Sequence, residues 1–498
     1  MTHTAFNVHE VQRTGISVAR VLRPKTVREA LTMLVDEPEA RLLAGGTDLL
    51  LELQRSGDGK DVSVVDVTGI EGFRDIRDVG THVLVGGGVT HAQLMAHETV
   101  VKKVPVLAQA CREVGSPQLR NRATLAGNLI TASPANDTIS ALMAIGAEVV
   151  FERLDGSEIV SRIVHSDDLF VGFRQVDKRP GELLTEIRLP TLSANQRGLW
   201  VKLGLRRAQA ISVVHAAIVV DFDGNVAVGR AEQRVAAVRF AIGSVAPTVV
   251  LLGEVDDALR GRTLTDEIAS EVGELVAAKI QPISDGRATA SYRSAAVSVL
   301  VRRMIQAVAA GSGGGDSVLE SPLLGTPTTL IRTPRAQHID SETPISISVN
   351  GEIVSGTHAV DRTLLDWVRE ETQLTGSKEG CAEGECGACT MLIDGDAVMS
   401  CLVNAAQVDG SQVTTIEAMG SSVTMSELQQ AFIDEFAAQC GFCIPGFIVA
   451  AERLLEEFAL PSREQILAGL SGNLCRCTGY YPMISAIETV ADRRRPAS

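Results

Sequence analysis

No stretch of the sequence approaches the run of about 20 apolar residues that a helix needs to cross a membrane. Basic residues are also too few for a general nucleic-acid or anionic-lipid surface, because 46 Lys and Arg stand against 61 Asp and Glu, a formal net charge of −15. Residues 1–15 are polar and lack the apolar core of a signal peptide. These absences predict a cytoplasmic protein that binds neither nucleic acid nor membrane.

Two further absences concern the fold. The sequence has no internal repeat, and it has no series of βαβ units that opens on G-x-G-x-x-G, so a Rossmann nucleotide site is not indicated. Strand-like segments occur at 41–43, 62–67 and 211–221, and helix-like segments at 264–280 and 292–309. A chain of 498 residues exceeds the usual size of one hydrophobic core. We therefore predict an α+β multidomain protein.

The segment 309–343 is predicted to be a linker. It contains Gly-Ser-Gly-Gly-Gly at 311–315, a composition typical of flexible connections, and three prolines follow. Almost all glycine-rich loops that could hold a nucleotide precede this segment. We expect it to separate a nucleotide-binding half from an independent second half.

The second half begins with a predicted hairpin. Residues 345–349 alternate apolar and polar side chains, and Asn350-Gly351 is the pair best suited to a type I′ turn before the return strand at Ile353. Residues 364–371 predict a helix. From Met425 onward the sequence is mostly helical, notably at 448–458 and 463–470.

Cysteine is concentrated in this second half. Of nine cysteines, eight lie between positions 381 and 477. In a reducing compartment such clustering indicates metal binding rather than disulfides. The ninth, Cys111, stands alone and is predicted to be a small buried apolar side chain.

The first cysteine group has the spacing Cys381-x4-Cys386-x2-Cys389, with Cys401 after eleven further residues. This is the spacing of plant-type [2Fe–2S] proteins. Gly380, Gly384 and Gly387 are expected to let the backbone take unusual angles and approach the cluster closely. A tetrahedral zinc site with four cysteines is the alternative.

The second cysteine group consists of two short pairs. Cys440-x2-Cys443 is followed after thirty-one residues by Cys475-x-Cys477. Two pairs at separate helix ends can bring four thiolates together. Zinc is again the alternative, although C-x-C is less usual in a four-cysteine zinc site.

Three sequence blocks carry a resemblance to a known family. They are CAEGECGACT at 381–390, QCGFCIPG at 439–446 and SGNLCRCTGY at 471–480. Together they resemble the iron–sulfur domains of the xanthine dehydrogenase/aldehyde oxidase family, the molybdenum hydroxylases, over about 345–495. The resemblance implies one [2Fe–2S] cluster on each group, with the second group nearer molybdenum and the first nearer FAD.

Two loops in the first half suit a nucleotide. LLAGGTDLL at 42–50 predicts a strand, a glycine loop and a helix start, and the grouped backbone N–H groups suit a pyrophosphate. The second, at 124–137, combines small residues, hydroxyls and one acid that can bond phosphate and ribose oxygens. A simple turn and a plain structural loop are the alternatives.

Both loops resemble FAD-binding motifs of the same family, and AIGSVAPT at 241–248 resembles its C-terminal flavin subdomain. The resemblance covers about 17–305. For Lys202 a solvated surface position is the alternative. The FAD contacts implied are Leu42, Leu43, Ala44, Gly45, Gly46, Thr47, Asp48, Thr124, Leu125, Ala126, Gly127, Asn128, Asp137, Leu184 and Lys202.

The resemblance also implies a domain order. An FAD-binding α+β domain of the vanillyl-alcohol-oxidase/CO dehydrogenase flavoprotein type is expected first, then a flavoprotein C-terminal domain, the linker, a β-grasp [2Fe–2S] ferredoxin domain and an all-α [2Fe–2S]-binding domain. The expected bounds are 15–192 (subdomains about 15–70 and 71–192), 195–308, 309–343, 344–418 and 420–495.

Two departures from relatives are informative. Cys111 is the only cysteine in the first half, which excludes the additional [4Fe–4S] cluster of relatives that reduce aromatic thioesters. The animal enzymes place the iron–sulfur domains first and a molybdenum domain later. Here the flavin motifs come first, and the sequence leaves no length for a molybdopterin domain, so we expect no catalytic residue in this chain.

The resemblance implies the electron-transfer subunit of a molybdenum hydroxylase. In the family, substrate is hydroxylated at molybdenum, and electrons pass through both clusters to FAD and on to NAD or another acceptor. We expect a hetero-oligomer with a molybdopterin-binding large subunit. The segment 125–137 resembles the xanthine dehydrogenase branch more closely than the carbon monoxide dehydrogenase branch, which implies a xanthine, purine or N-heterocycle dehydrogenase. Alternatives are an aldehyde oxidoreductase or carbon monoxide dehydrogenase-like subunit, a free-standing flavin–ferredoxin reductase, and a redox-responsive binding protein without turnover.

Overall fold

A computed structural model describes residues 18–55, 62–224, 233–325, 338–420 and 424–495. They form two compact units, which we describe separately. The first comprises the described residues up to Glu71 and from Leu324 onward, and the second comprises Gly72–Leu323. Residues 1–15 and the linker prolines Pro327 and Pro334 lie outside the described residues. Within the described ranges, no helix is both long and apolar enough to cross a membrane.

Twenty strands are present in the described residues. They are β1 (Val18–Leu22), β2 (Arg41–Leu43), β3 (Val62–Asp66), β4 (Ile76–Asp78), β5 (His82–Gly86), β6 (Glu148–Asp155), β7 (Glu158–His165), β8 (Phe170–Gly172), β9 (Gln175–Val176), β10 (Leu183–Pro190), β11 (Gln196–Gly204), β12 (Ser212–Phe222), β13 (Val235–Gly243), β14 (Val250–Leu251), β15 (His338–Asp340), β16 (Ile345–Val349), β17 (Glu352–Gly356), β18 (Thr390–Ile393), β19 (Asp396–Met399) and β20 (Gln412–Thr414).

Eighteen α-helices accompany these strands in the same part of the chain. They are α1 (Val27–Asp36), α2 (Leu49–Arg55), α3 (His91–Ala96), α4 (Glu98–Lys103), α5 (Pro105–Arg112), α6 (Pro117–Arg120), α7 (Leu125–Thr131), α8 (Asp137–Ile145), α9 (Ser166–Leu169), α10 (Gly253–Leu259), α11 (Asp266–Lys279), α12 (Ala290–Ala309), α13 (Asp316–Leu319), α14 (Leu364–Thr372), α15 (Glu427–Asp434), α16 (Ile444–Glu457), α17 (Arg463–Gly469) and α18 (Tyr481–Arg493).

The first unit begins with a small sheet in the order β15-β1-β3-β2. β1 and β2 both run parallel to β3, which leaves β2 at one edge with the glycine loop directly after it. Helix α1 is capped by the side chain of Thr26, which accepts a hydrogen bond from the Glu29 amide, and it buries Ala30, Leu31 and Leu34. This subdomain therefore holds the glycine loop at a sheet edge.

The other edge strand of this sheet, β15, comes from the predicted linker. It pairs antiparallel with β1, and Ile339 lies opposite Val21. Both side chains are buried. The sequence predicts no strand in 309–343, because β15 is only three residues long and its one apolar residue, between His338 and Asp340, gives no detectable alternation.

The cysteine-rich part of the first unit consists of a β-grasp sheet and a helical domain. The sheet has the order β17-β16-β20-β18-β19, with α14 beside it. The predicted turn is confirmed, because Asn350 and Gly351 both have positive φ angles between β16 and β17. Helices α15 to α18 pack around a core that includes Phe432, Phe447 and Ile487. The predicted α+β multidomain class, with β-grasp and all-α iron–sulfur parts, is confirmed.

The second unit contains two larger sheets. One has the order β4-β5-β10-β6-β7, and the other has the order β11-β12-β13-β14 with α11 and α12 beside it. Strand β12 is buried along nearly its whole length, which explains the long β-branched run predicted at 211–221. The predicted helices at 264–280 and 292–309 are confirmed as α11 and α12.

We predict that Ile339→Ala destabilises the first unit. The side chain is 1% exposed, so its truncation should lower the free energy of unfolding by roughly 2–4 kcal/mol. Calorimetry should show a lower melting temperature for the unit that contains the β15–β1 pair. The control is Ile353→Ala on β17, where the side chain is 69% exposed. Equal melting temperatures for both variants would show that β15 contributes nothing to stability.

Candidate functional site

The first cysteine group lies on the loop between α14 and β18 and on the turn after β19. The Sγ atoms of Cys389 and Cys401 are 3.3 Å apart, and both residues are buried. The sulfur of Cys381 accepts hydrogen bonds from the amides of Glu383 (3.4 Å) and Glu385 (3.3 Å). Such amide bonds favour a charged sulfur, so the loop suits a thiolate ligand.

Glycines shape this loop as predicted. Gly384 and Gly387 have φ angles of +72° and +71°, which other residues rarely adopt. Gly380 acts differently, because a Cβ atom there would lie only 2.7 Å from the Cys386 Sγ. The loop therefore closes tightly around its own sulfurs.

The second cysteine group lies at the start of α16 and before α18. The Sγ atoms of Cys440 and Cys477 are 3.6 Å apart and both residues are exposed, whereas Cys443 and Cys475 are buried. The sulfur of Cys475 accepts hydrogen bonds from the Thr478 hydroxyl (3.0 Å) and amide (3.5 Å). Burial and the neighbouring Cys475 thiol raise the pKa of Cys443 to about 12. Metal cations that displace the protons would relieve the cost of such crowding.

The thiols within each group contact one another, as Cys401 contacts Cys389 and Cys381 in the first group and Cys477 contacts Cys440 in the second. Within the described residues, no three Cys, His, Asp or Glu side chains are grouped closely enough to hold one metal ion. Each group supplies four free cysteines, which is the number of thiolates that a [2Fe–2S] cluster takes, two on each iron. The donor set therefore fits the cluster that the sequence predicts.

Backbone and amide hydrogen bonds connect the two cysteine groups directly. The amide of Leu474 donates to the carbonyl of Cys386 (2.9 Å), and the Asn473 side chain donates to the carbonyl of Gly387 (3.1 Å). A Cβ atom at Gly446 would lie 2.1 Å from that same carbonyl. The ligand-bearing loops of the β-grasp and helical domains are thus in immediate contact.

The glycine loop of the first unit has the predicted strand–loop–helix form. Strand β2 ends at Leu43 and helix α2 begins at Leu49, and Gly46 has a φ angle of +82°. Gly45 and Gly46 are buried, whereas Asp48 is exposed. A helix start preceded by closely spaced backbone amides is suited to a phosphate group.

The glycine loop also packs against the ferredoxin domain. A Cβ atom at Gly46 would lie 3.2 Å from the carbonyl oxygen of Leu402, the residue after Cys401. The side-chain amide of Gln407 donates to the carbonyl of Ala44 (3.1 Å). Arg55, at the end of α2, pairs with Glu383 between two cysteines. The expectation that the linker separates independent halves is therefore wrong for this loop.

The second predicted FAD segment lies in the second unit and is partly helical. Residues predicted as loop form α7, which the Thr124 side chain caps by accepting a hydrogen bond from the Gly127 amide (3.0 Å). The backbone carbonyl of Asn128 accepts a hydrogen bond from the Asn136 side chain (2.6 Å). The side-chain oxygen of Asn128 accepts a hydrogen bond from the Thr138 hydroxyl. Leu125 and Ala126 are buried. The sequence did not predict α7, because its small residues show no apolar periodicity of the helical kind.

Asp137 and Lys202 form one buried ion pair. Their Oδ2 and Nζ atoms are 2.6 Å apart, and each side chain is only 8% exposed. The surface alternative for Lys202 is therefore wrong. The other carboxylate oxygen of Asp137 accepts a hydrogen bond from the Ser212 hydroxyl (2.5 Å). Burial raises the pKa of Asp137, although the positive charge of Lys202 acts in the opposite direction. Leu184, on β10, is buried elsewhere in this unit, in register with Phe151.

A buried polar network lies beside this pair and has no counterpart among the residues predicted from the sequence. His215 Nδ1 lies 2.7 Å from the Ser140 hydroxyl, and His215 Nε2 lies 3.1 Å from the carbonyl of Pro134. The indole N–H of Trp200 donates to the Ser140 hydroxyl and to the Asp137 carbonyl, both at 3.0 Å. One histidine and one serine 75 positions apart carry no motif, so no local signal could have found them.

Comparison with known proteins agrees with this arrangement. Four family models match consecutive parts of the chain. They are the FAD binding domain in molybdopterin dehydrogenase (15–192), the CO dehydrogenase flavoprotein C-terminal domain (201–308), the 2Fe-2S iron-sulfur cluster binding domain (347–415) and the [2Fe-2S] binding domain (415–488).

The relatives include two subunits of one enzyme. The small subunit of nicotine 6-hydroxylase from Paenarthrobacter nicotinovorans is 49% identical over 145 residues, which is 29% of this chain and 86% of that subunit. This chain belongs to the molybdenum hydroxylase family. The medium subunit of the same enzyme is 29% identical over 286 residues, 57% of this molybdenum hydroxylase chain and 95% of that subunit.

A solved molybdenum hydroxylase shows the same flavoprotein fold. The carbon monoxide dehydrogenase from Hydrogenophaga pseudoflava has 28% identity and a TM-score of 0.52, over 57% of this chain and 95% of that one. This molybdenum hydroxylase chain is thus an oxidoreductase subunit for electron transfer that binds FAD and two [2Fe–2S] clusters. The zinc alternative is discarded for both cysteine groups.

We predict that His215 makes the stability of this molybdenum hydroxylase subunit pH-dependent. Burial lowers the pKa of His215 to about 4, against roughly 6.5 in an unfolded chain. Above the unfolded value both states are neutral, and as the pH falls toward the folded value only the unfolded state gains a proton. Up to about 3 kcal/mol of stability should be lost over that window.

Denaturant unfolding at several pH values checks this prediction. His215→Gln removes the titrating group, so the stability of that variant should fall less steeply below about pH 6.5. The control is His338→Gln, at an exposed position on β15. If the free energy of unfolding of His215→Gln falls with pH as steeply as that of the unmodified protein, the pH dependence is not due to His215.

Proposed function

We propose that this chain is the electron-transfer subunit of a molybdenum hydroxylase that acts on a purine or another N-heterocycle. A separate molybdopterin-binding large subunit would oxidise the substrate, and the chain would pass the electrons to NAD or another acceptor. One observation carries the proposal. The ferredoxin cysteine group adjoins both the glycine loop and the second cysteine group, which gives a continuous series of sites within the first unit.

We assign one cluster to each cysteine group. Cys381, Cys386, Cys389 and Cys401 would hold the first, and Cys440, Cys443, Cys475 and Cys477 the second. The bound clusters supply one-electron chemistry, while the protein supplies thiolates and amide hydrogen bonds that hold the negative charge. The four free cysteines in each group support this assignment.

We propose the FAD contacts that the family resemblance implies. The glycine loop from Leu42 to Asp48 would hold the pyrophosphate. Of the other implied residues, Thr124–Asn128, Asp137 and Lys202 offer hydrogen-bond donors, acceptors and one fixed charge pair. Leu184 is buried and would contribute apolar contact or a backbone group.

The surroundings of the two cysteine groups support the order of clusters that we propose. The carbonyl beside Cys401 adjoins the glycine loop, so the ferredoxin group would be the one nearer FAD. In the helical domain, Cys440 and Cys477 are exposed, and so are the neighbouring residues Phe436 (85%) and Tyr481 (73%). Exposed aromatic side chains around a redox centre are typical of a protein interface. We propose that this surface receives the large subunit.

The proposed substrate class has support from one relative. Both halves of the chain match subunits of nicotine 6-hydroxylase, an enzyme named for an N-heterocycle. The carbon monoxide dehydrogenase match covers the flavoprotein part at a similar identity, so that part does not distinguish between the substrate classes. Activity screens of the copurified complex with purines, pyridines, aldehydes and carbon monoxide test the class. Turnover of aldehydes or carbon monoxide alone would overturn the proposal.

We also propose that the protein acts in the cytoplasm. Eight thiols arranged for metal rather than for disulfides require a reducing compartment during cluster assembly.

Replacement of one ligand tests the electron order. In the complex with the large subunit, Cys443→Ala should remove the helical-domain cluster, because a cluster with three thiolates is lost or strongly shifted in potential. Substrate should still reduce the large subunit in a single turnover, but FAD should no longer be reduced within the time of turnover. Dithionite, added from solution, should still reduce the remaining cluster and FAD. Stopped-flow absorbance follows each step.

The matched control is Cys111→Ser. Cys111 is buried near His91 and belongs to neither group, so this variant should keep four iron and four sulfide per chain and a normal rate of FAD reduction. Substrate-driven FAD reduction at the unmodified rate in Cys443→Ala, with the cluster shown to be absent, would rule out the proposed order.

A further inference from the structure

The chain carries a polar connection between the ferredoxin domain and the glycine loop that no sequence motif marks. Gln407 lies on the short helical turn after Asn404 and is buried. Its Nε2 atom donates to the carbonyl of Ala44 (3.1 Å) and to the Oδ1 atom of Asp66 (3.2 Å). The side chain of one domain therefore holds the backbone of the other at the start of the loop.

The Gln407 side chain donates to two acceptors that lie at the ends of neighbouring strands. Asp66 ends strand β3, next to β2, and its Oδ1 atom also accepts from the hydroxyl (2.7 Å) and amide (3.1 Å) of Thr68. Gln407 thereby bridges the ends of two adjacent parallel strands, at the point where the loop leaves β2. The buried amide restricts the loop, because a shift of the loop would break the hydrogen bond to the Ala44 carbonyl.

A second contact restricts the same loop from the same domain. Gly46 faces the carbonyl of Leu402, and its positive φ angle leaves the loop few other conformations. The buried ion pair between Arg23 and Asp409 (3.2 Å) fixes the same two domains two residues beyond Gln407. The loop conformation is thus set by the ferredoxin domain as well as by its own sequence.

We propose that Gln407 is a positioning residue for FAD: it holds the loop Ala44–Asp48 in the conformation that binds the cofactor, so that FAD affinity depends on the iron–sulfur domain. The inference rests on the proposed assignment of FAD to this loop. It has a consequence for the order of assembly, because a chain whose ferredoxin domain is unfolded should bind FAD weakly.

Gln407→Met tests the proposal in the full chain. Methionine keeps the length and volume of the side chain but removes the N–H donor. The dissociation constant of FAD, measured by titrating the FAD-depleted chain and following flavin fluorescence, should rise about tenfold, as expected for a lost hydrogen bond to a buried carbonyl. Iron content and the absorption of both clusters should be unchanged.

Thr68→Val is the matched control. It removes a donor to the same Asp66 carboxylate but leaves the bond to Ala44 in place, so FAD affinity should stay within about twofold of the unmodified protein. An equal loss of FAD affinity in Gln407→Met and Thr68→Val would overturn the proposal, because it would show that both substitutions only weaken the end of the sheet.

Gln407→Glu gives a second readout if the methionine variant folds poorly. A protonated glutamate can still donate to the Ala44 carbonyl, whereas the ionised form repels both that carbonyl and Asp66. FAD affinity of this variant should therefore fall as the pH rises, while that of the unmodified protein stays flat over the same range. A flat profile for Gln407→Glu would overturn the proposal.

A loop variant separates failure of this proposal from failure of the FAD assignment. Thr47→Val lies in the loop itself and makes no part of the Gln407 contact. If Thr47→Val weakens FAD binding and Gln407→Met does not, the positioning role is wrong and the FAD assignment stands. If neither variant changes FAD binding, the assignment of FAD to this loop is wrong and the proposal for Gln407 falls with it.

Discussion

The packing of the glycine loop against the ferredoxin domain determines what the first unit can do. The loop has little conformational choice, because Gly46 needs a positive φ angle and faces the carbonyl of Leu402. One residue earlier in that domain is Cys401, a proposed iron ligand. The loop that suits a pyrophosphate is thus in close backbone contact with the residue that follows a proposed cluster ligand. The proposed transfer of electrons between FAD and the nearer cluster depends on this contact being rigid.

Polar bonds, rather than apolar area alone, connect the sites of this unit. The Leu474 amide bonds to the Cys386 carbonyl, and the buried Arg23–Asp409 pair links the flavin subdomain to the β-grasp sheet. A hydrogen bond fixes distance and direction, whereas an apolar contact tolerates sliding. Redox centres that exchange electrons need fixed separations, so a polar network at each domain boundary suits the proposed function. In nicotine 6-hydroxylase the corresponding parts lie on two subunits, whereas here one chain carries both.

The sequence predicted the parts of the fold that have a strong local pattern. The eight clustered cysteines, the hairpin at Asn350-Gly351 and the helices α11 and α12 were predicted because their signals lie within short windows. The sequence did not predict β15, which has one apolar residue, or α7, whose small residues carry no amphipathic period. Both depend on tertiary contacts for their stability.

The candidate site divides in the same way. Spacing identified the cysteine groups, because most of these cysteines lie within a few residues of another one. The contacts that hold the loops have no such requirement. Gln407 lies 363 positions from Ala44, and the partner of Lys202 lies 65 positions away, so only folding brings them together. The prediction that the two halves are independent was wrong for the glycine loop, because such long-range contacts leave no local pattern in the sequence.

The central claim is that the glycine loop holds FAD beside the cluster of the ferredoxin domain. A crystal structure of the complete chain with its cofactors, with iron located by anomalous scattering, tests it most directly. The account predicts the FAD pyrophosphate at Gly45 and Gly46, with the pair of iron atoms bound by Cys381, Cys386, Cys389 and Cys401 as the nearer of the two pairs. A pyrophosphate bound elsewhere, or one nearer to the iron held by Cys440 and Cys477, would contradict the account.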